Sequence, residues 1–242
     1  MRRFALFLAF AGLLLVPAVA PAQSLPPEDA RIVLSAGFLE DHPDLKWRKR
    51  GIEAYRQGRK AEALQAFTNA ARYADKPSQA MIAEMLWQGD GVARDRPRAY
   101  AWSDLAAERG WPDLVAKREY YWANLDAAER EQAIDVGQPL LHEYGDDVAR
   151  PRIDLKLSQA RRRTTGSRVG HVGNLVIRMP AVAGDPLKAG HDVDGARFYA
   201  DRFYRPADYH AWQEQTWRER GEGLVEVGSV EADPGTVTEA RE

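Results

Sequence analysis

The polar residues of this sequence that most strongly suggest a binding site form a run of arginines in residues 150–168, where Asp154 is the single acid. The residues concerned are Arg161, Arg162, Arg163 and Arg168. Guanidinium groups bind phosphate and carboxylate in a bidentate way, so the run predicts an anion site for lipopolysaccharide phosphate, a peptidoglycan carboxylate or an acidic protein. The alternative is a solvated helix end whose cations compensate the helix dipole. A net charge of −2 disfavours nucleic acid as the ligand.

The other groups of polar residues give weak evidence for phosphate binding, metal binding or catalysis. Residues 165–170 resemble a phosphate-binding loop but lack its Gly-Lys-Ser/Thr ending, which favours a tight turn. The candidate metal ligands are His171, His191, Asp192 and Asp194. Their spacing matches no zinc signature, although an oxygen-rich cation site remains an alternative. No Gly-x-Ser-x-Gly elbow is present, and Glu129 and Glu131 lie on predicted solvent faces. We therefore predict no enzyme activity, no cofactor and no metal.

The tryptophans offer a different kind of site. Trp47, Trp87 and Trp111 lie off the apolar helical stripes or at helix ends, so we expect partial exposure. Exposed aromatic rings on a helical surface are typical protein-binding anchors. The alternative is that these rings pack between helices.

Composition and the N-terminus set the class of protein. The chain has 242 residues, is 45% hydrophobic and contains no cysteine, which excludes disulfides and thiolate metal sites. Arg2 and Arg3 precede an apolar run over residues 4–16, and Ala20 and Ala22 provide small residues for cleavage after Ala22. This pattern predicts a secretory signal peptide, since a membrane-spanning helix needs about 20 apolar residues. We expect a periplasmic or secreted protein with no stable membrane insertion after processing.

Residues 80–110 are the segment around which the predicted helices are organised. Their pattern predicts two antiparallel helices. Gly89 and Gly91 follow an apolar helical segment, where a residue tolerant of positive φ is needed. Asp95 then provides an N-cap, and Pro97 lies in the first turn of the next helix. The second helix carries a stripe of one large ring between small residues, namely Ala99, Trp102 and Ala106.

This segment resembles the Sel-one-like repeat, a branch of the tetratricopeptide superfamily. The residues that carry the resemblance are Gly89, Gly91, Asp95, Ala99, Trp102, Ala106 and Gly110. The resemblance implies a stack of helical pairs with a concave surface that binds another protein without covalent chemistry.

The neighbouring segments extend the stack in both directions. Residues 45–57 and 61–74 predict a first helical pair, and a capping-box pattern from Asp126 to Glu129 opens the last helix of a third pair, which Gly145 ends. Beyond residue 145 we expect at least a short helix after Pro151, a strand at residues 175–179 and a loop over residues 181–195. A helix then runs from Pro206 to Gly221, and residues 224–230 form a strand able to pair with the first.

The predicted fold is mainly α, a short α-α superhelix of about three helical pairs followed by a small α+β region with a two-stranded sheet. The predicted boundaries are a signal peptide at 1–22, an arm at 23–41, the repeat domain at 42–145, the α+β region at 146–230 and a disordered tail at 231–242. We expect a non-enzymatic scaffold for a protein or peptide of the cell envelope. The alternatives are an envelope enzyme with a C-terminal site and a binder of anionic envelope components.

Overall fold

The computed structural model describes residues 27–165, 175–179 and 190–221. These residues form twelve helices and two strands. The helices are α1 Pro27–Leu34, α2 Ala36–Asp41, α3 Pro43–Arg56, α4 Lys60–Ala71, α5 Lys76–Gln88, α6 Arg96–Ala107, α7 Pro112–Asn124, α8 Ala127–Tyr144, α9 Asp146–Thr165, α10 Gly195–Phe198, α11 Asp201–Tyr204 and α12 Pro206–Gly221. The strands are β1 Val176–Met179 and β2 His191–Asp194, and they pair in an antiparallel two-stranded sheet.

The central hairpin of α5 and α6 has the ends that its residues predict. Gly89 caps α5 in the left-handed conformation at φ 74°, and its N–H donates to the Met85 carbonyl. The Asp95 carboxylate accepts from the Arg98 amide at 3.0 Å, which caps α6 at its N-terminus. Gly91 has a positive φ too, and a Cβ there would meet Lys60. The hairpin implied by the Sel-one-like resemblance is therefore confirmed.

The pairs on either side complete a helical stack. In the first pair α3 lies against α4. The two helices expected as a third pair, α7 and α8, each pack mainly on α6 instead of on each other. The capping box predicted at the start of α8 is present: Asp126 accepts from the Glu129 amide, and Glu129 accepts from the Asp126 amide. Buried residues from α3 through α8 form one continuous core, which includes Phe67, Ile82, Trp102, Tyr121 and Tyr144. The superhelical fold class is confirmed.

The two ends of the described chain share a second core. Ile32 of α1 and Phe38 of α2 are fully buried, and they pack with Phe198, Phe203 and Tyr204 from α10 and α11. The predicted arm thus contributes two helices, which Ile32 and Phe38 anchor in this core. The central connector is α9, which contacts α2, α8, α11 and α12.

Two features of the C-terminal region differ from expectation. The helix expected after Pro151 is present, but α9 begins earlier, at Asp146, and continues through the proline. The loop expected over residues 181–195 is wrong at its end, because residues 191–194 pair with β1 in the register Ile177 to Val193. Val193 is buried in the second core, a long-range packing that the local Gly, Asp and Pro content could not reveal.

Several predictions concern residues outside the described ranges. They are the signal peptide at 1–22, the turn at 165–170 beyond Thr165, Arg168, His171, the strand at 224–230 and the tail at 231–242.

Candidate interaction surface

Side chains of α5 and α7 contact each other, and Tyr55 of α3 contacts Asp90 in the turn after α5. We call this surface the first-helix face and define it by Tyr55, Glu84, Trp87, Lys117 and Tyr120. Helical phase places Glu84 and Trp87 one turn apart on α5, and Lys117 and Tyr120 one turn apart on α7. The face therefore consists of side chains held by rigid helices.

Aromatic rings dominate the part of the face between α5 and α7. Trp87 stacks on Tyr121 with ring centroids 4.1 Å apart and an interplanar angle of 6°. The Tyr120 ring lies 6.3 Å from Trp87 and is 58% exposed. On Trp87 the Arg96 guanidinium lies 4.8 Å from the ring centroid, a cation–π contact. Tyr120 is thus an exposed aromatic ring beside a well-packed aromatic pair.

Polar groups beside these rings are paired and fixed. Glu84 accepts from the Lys117 ammonium and from the Tyr121 hydroxyl, the latter at 2.9 Å. Although burial favours the neutral acid, these two donors hold the pKa of Glu84 below its usual range. Burial and the bond to Glu84 raise the pKa of Tyr121 far above its ordinary value. Tyr121 therefore remains a neutral hydroxyl that donates to Glu84.

A second polar cluster joins the first two pairs. The Tyr55 hydroxyl donates to Asp90 at 2.5 Å, and the Lys60 ammonium donates to the same carboxylate at 2.8 Å. Asp90 lies in the glycine turn between Gly89 and Gly91, so the turn that ends α5 is anchored on α3 and α4. Glycine at position 91 allows this approach, because a Cβ there would collide with Lys60. Its positive φ also favours glycine.

Two of the three tryptophans singled out from the sequence are more buried than expected. Trp47 is half-buried, with the Arg50 guanidinium 4.9 Å from its ring centroid. Trp87 is 6% exposed and Trp111 is 4% exposed, so the expected partial exposure of these two rings is wrong. Trp87 packs under Tyr121 and Arg96, while Trp111 stacks on Trp217 of α12 at 5.6 Å. The packing partners come from other elements, which helical phase alone does not show.

Tyr120 was not among the residues predicted from the sequence, although its position next to Tyr121 could have identified it. Tyr120 and Tyr121 are adjacent in α7, and adjacent residues on a helix point about 100° apart. Only one of the two rings can therefore face the core. Tyr121 is fully buried and Tyr120 is exposed.

Two arginines of the run connect different elements. Arg161 pairs with Asp201 of α11 at 2.9 Å, and Arg163 pairs with Asp41 of α2. Arg162 is exposed. These ion pairs favour a structural role for Arg161 and Arg163, while anion binding by the run as a whole stays a prediction.

Within residues 27–165, 175–179 and 190–221, no group of three or more His, Cys, Asp or Glu side chains is arranged to hold a metal ion. Among the helices of these same ranges, none combines the length and the apolar character needed to cross a bilayer.

Comparisons with known proteins found distant relatives, and no family model matches the chain. A curated protein of Rhizobium meliloti (strain 1021), the exopolysaccharide production negative regulator, is 24% identical over 193 residues, which span 66% of this chain and 69% of that protein. A solved structure, described as a protective antigen present in uropathogenic Escherichia coli strains displaying an SLR fold, is 23% identical with a TM-score of 0.39. The match covers 46% of this chain and 25% of that one, so this chain spans about a quarter of that antigen's length.

Proposed function

We propose that this chain is a non-enzymatic helical-repeat scaffold that binds another protein on its first-helix face. The observation that carries the proposal is Tyr120, an exposed aromatic ring beside the packed pair of Trp87 and Tyr121. Tyrosine is enriched among the residues that dominate binding energy, and its two torsions cost little entropy when it is immobilised. A rigid support further lowers the cost of binding.

The charged groups around Tyr120 suit the rim of an interface. Lys117 and Glu84 are partly exposed and already paired, so a partner can lie against them without burying an isolated charge. The buried Lys76 of α5 is paired with Asp146 at the start of α9, and this pair holds helices together. Their engagement supports a binding role rather than a catalytic one.

The cellular setting of this binding is a further part of the proposal. Arg2, Arg3 and the apolar run at residues 4–16 support export to the periplasm or beyond, with an envelope protein as the partner. The curated relative is named as a negative regulator of exopolysaccharide production, and a regulator that acts by binding another protein is compatible with this scaffold.

Capture from an envelope extract tests the proposal. The mature chain from Gln23 is immobilised, and captured proteins are compared for the native sequence, Tyr120→Ser and Ile134→Ser. Ile134 is the matched control, because it is an apolar residue of similar exposure, 57%, on α8. We expect Tyr120→Ser to weaken capture of a specific partner by at least about tenfold, since interface hot spots contribute about 2 kcal/mol or more.

The control variant should capture the partner as well as the native chain does. Loss of capture with Ile134→Ser and retention with Tyr120→Ser would move the site to α8 and contradict the proposal. Circular dichroism of both variants checks that the helices are intact.

A further inference from the structure

Helix α12 packs over a buried polar seam that the interaction surface does not use. The Trp217 ring lies 5.6 Å from Trp111 at the start of α7, and the Arg48 guanidinium of α3 lies 5.8 Å from the centroid of the same ring. One turn along α12 from Tyr209, Gln213 is also buried. A small cavity of about 10 Å³, room for about one water molecule, lies in this seam.

Asp44, in the first turn of α3, is the central group of the seam. Its side chain is fully buried against α12, where it accepts a hydrogen bond from the Tyr209 hydroxyl. The Tyr209 oxygen in turn accepts from the Gln213 amide at 2.9 Å. The second carboxylate oxygen of Asp44 has no hydrogen-bond partner. A buried acceptor of this kind is costly if it carries a negative charge.

The cations near Asp44 are already paired with other carboxylates. Arg48 donates to Asp75 at 2.9 Å, and Asp75, the N-cap of α5, also lines the cavity. The remaining cations that line it are Lys76, which pairs with Glu108 and Asp146, and Arg109, which pairs with Asp146. The neutral form of Asp44 therefore fits the seam better than the anion does.

Two histidines also lie at the seam. His210 of α12 lies 2.7 Å from Asp154 of α9. The His42 ring lies 5.3 Å from Tyr209, and both its nitrogens contact backbone carbonyls, those of Phe38 and Phe203. Burial lowers the pKa of His42, so its protonation opposes docking in acid. An experiment on Asp44 must therefore separate its contribution from that of His42.

We propose that docking of α12 on the repeat is coupled to protonation of Asp44, so that the C-terminal helix is held more tightly in mildly acidic surroundings than at neutral pH. Burial and the neighbouring Asp75 charge raise the pKa of Asp44 from 3.8 to about 6 in the docked state. Between these two values the docked state binds more protons than the undocked state. The favourable contribution is complete below about pH 3.8 and is lost as the pH rises through about 6.

Hydrogen exchange of the α12 amides in the full mature chain measures the coupling. Protection factors, corrected for intrinsic exchange rates, are compared for Asp44→Asn and for the native sequence. Linkage from the pKa of about 6 predicts that the Asp44 contribution to protection is about tenfold larger at about pH 5 than at about pH 7.5. Asp44→Asn keeps the shape of the neutral acid and should remove this tenfold component.

Asp208→Asn is the matched control, because Asp208 is a partly exposed carboxylate on the same helix, paired with Arg205. It should keep the native pH dependence. If Asp44→Asn does not fold, Tyr209→Phe retains the buried carboxyl group and should keep the pH dependence at lower overall protection. The proposal is overturned if Asp44→Asn and the native chain show the same pH dependence, or if Tyr209→Phe abolishes it.

Discussion

The packing around Gly51 is so tight that the addition of one methyl group tests it. Gly51 lies inside α3, and a Cβ there would come within 2.5 Å of the Phe67 ring of α4. Phe67 is fully buried, so its ring has little room to move. We expect Gly51→Ala to lower the free energy of unfolding by about 1–3 kcal/mol, the usual cost of overpacking, despite the better helix propensity of alanine. Urea denaturation followed by circular dichroism measures the change.

Gly137 provides the matched control for this prediction. It also lies inside a helix, α8, but a Cβ there would meet its nearest neighbour, the Ala101 Cβ, at an ordinary 3.8 Å. Gly137→Ala should therefore raise the free energy of unfolding by about 0.5–1 kcal/mol, since only the propensity term changes. Equal effects of the two substitutions would show that close packing at Gly51 is not what selects glycine.

At the scale of elements, a buried ion-pair network joins three parts of the chain. Lys76 at the start of α5 is fully buried and contacts Glu108 at 2.6 Å and Asp146 at 3.0 Å. Arg109, after α6, donates two hydrogen bonds to Asp146, the first residue of α9, and a third to the Ala74 carbonyl. The network therefore fixes α9 against the repeat.

The titration of Asp146 gives this network a defined pH dependence. Although burial opposes it, the bonds and charges of Arg109 and Lys76 hold the pKa of Asp146 below its ordinary 3.8. A lowered pKa contributes stability that is present above 3.8 and is lost as the pH falls through the folded value. We expect Asp146→Asn to cost about 3–5 kcal/mol at about pH 7, because Lys76 stays buried without its full set of partners, and to cost less at about pH 3.

Urea denaturation at the two pH values measures this difference. Asp147→Asn, at the exposed neighbouring position, is the control and should change stability by less than about 0.5 kcal/mol. A cost of Asp146→Asn that stays constant between the two pH values would contradict the assigned role.

The elements that sequence alone predicts are those whose ends are set locally. Gly89, Asp95 and the capping box at Asp126 determine helix ends through groups within a few residues, and all three predictions are confirmed. Strand β2 and the burial of Trp87 and Trp111 depend instead on partners distant in sequence: Ile177, Tyr121 and Trp217. Periodicity within one helix cannot identify such partners, so the expected exposure of Trp87 and Trp111 is wrong, and the exposed ring is Tyr120.

At the scale of the whole molecule, the chain is closed by contacts between its two described ends. The Phe203 ring lies edge-on to Phe38 at 5.2 Å, and the Phe203 carbonyl contacts the His42 ring at 2.8 Å. Arg202 adds an ion pair to the buried Asp29 of α1 at 2.7 Å. Helices α1 and α2 thus depend on α11 for their core, and the repeat pairs α3 to α8 have a core of their own.

This division predicts how the molecule opens when the shared core is weakened. Phe203 is fully buried, so Phe203→Ala should destabilise the native state by about 3–5 kcal/mol. Because its contacts lie in the second core, hydrogen exchange should accelerate first in α1, α2 and α11, while the α5–α6 hairpin keeps most of its protection. Phe67→Ala, in the repeat core, is the comparison and should instead accelerate exchange in α3 to α6. The same exchange pattern from both variants would mean that the two cores open as one cooperative unit.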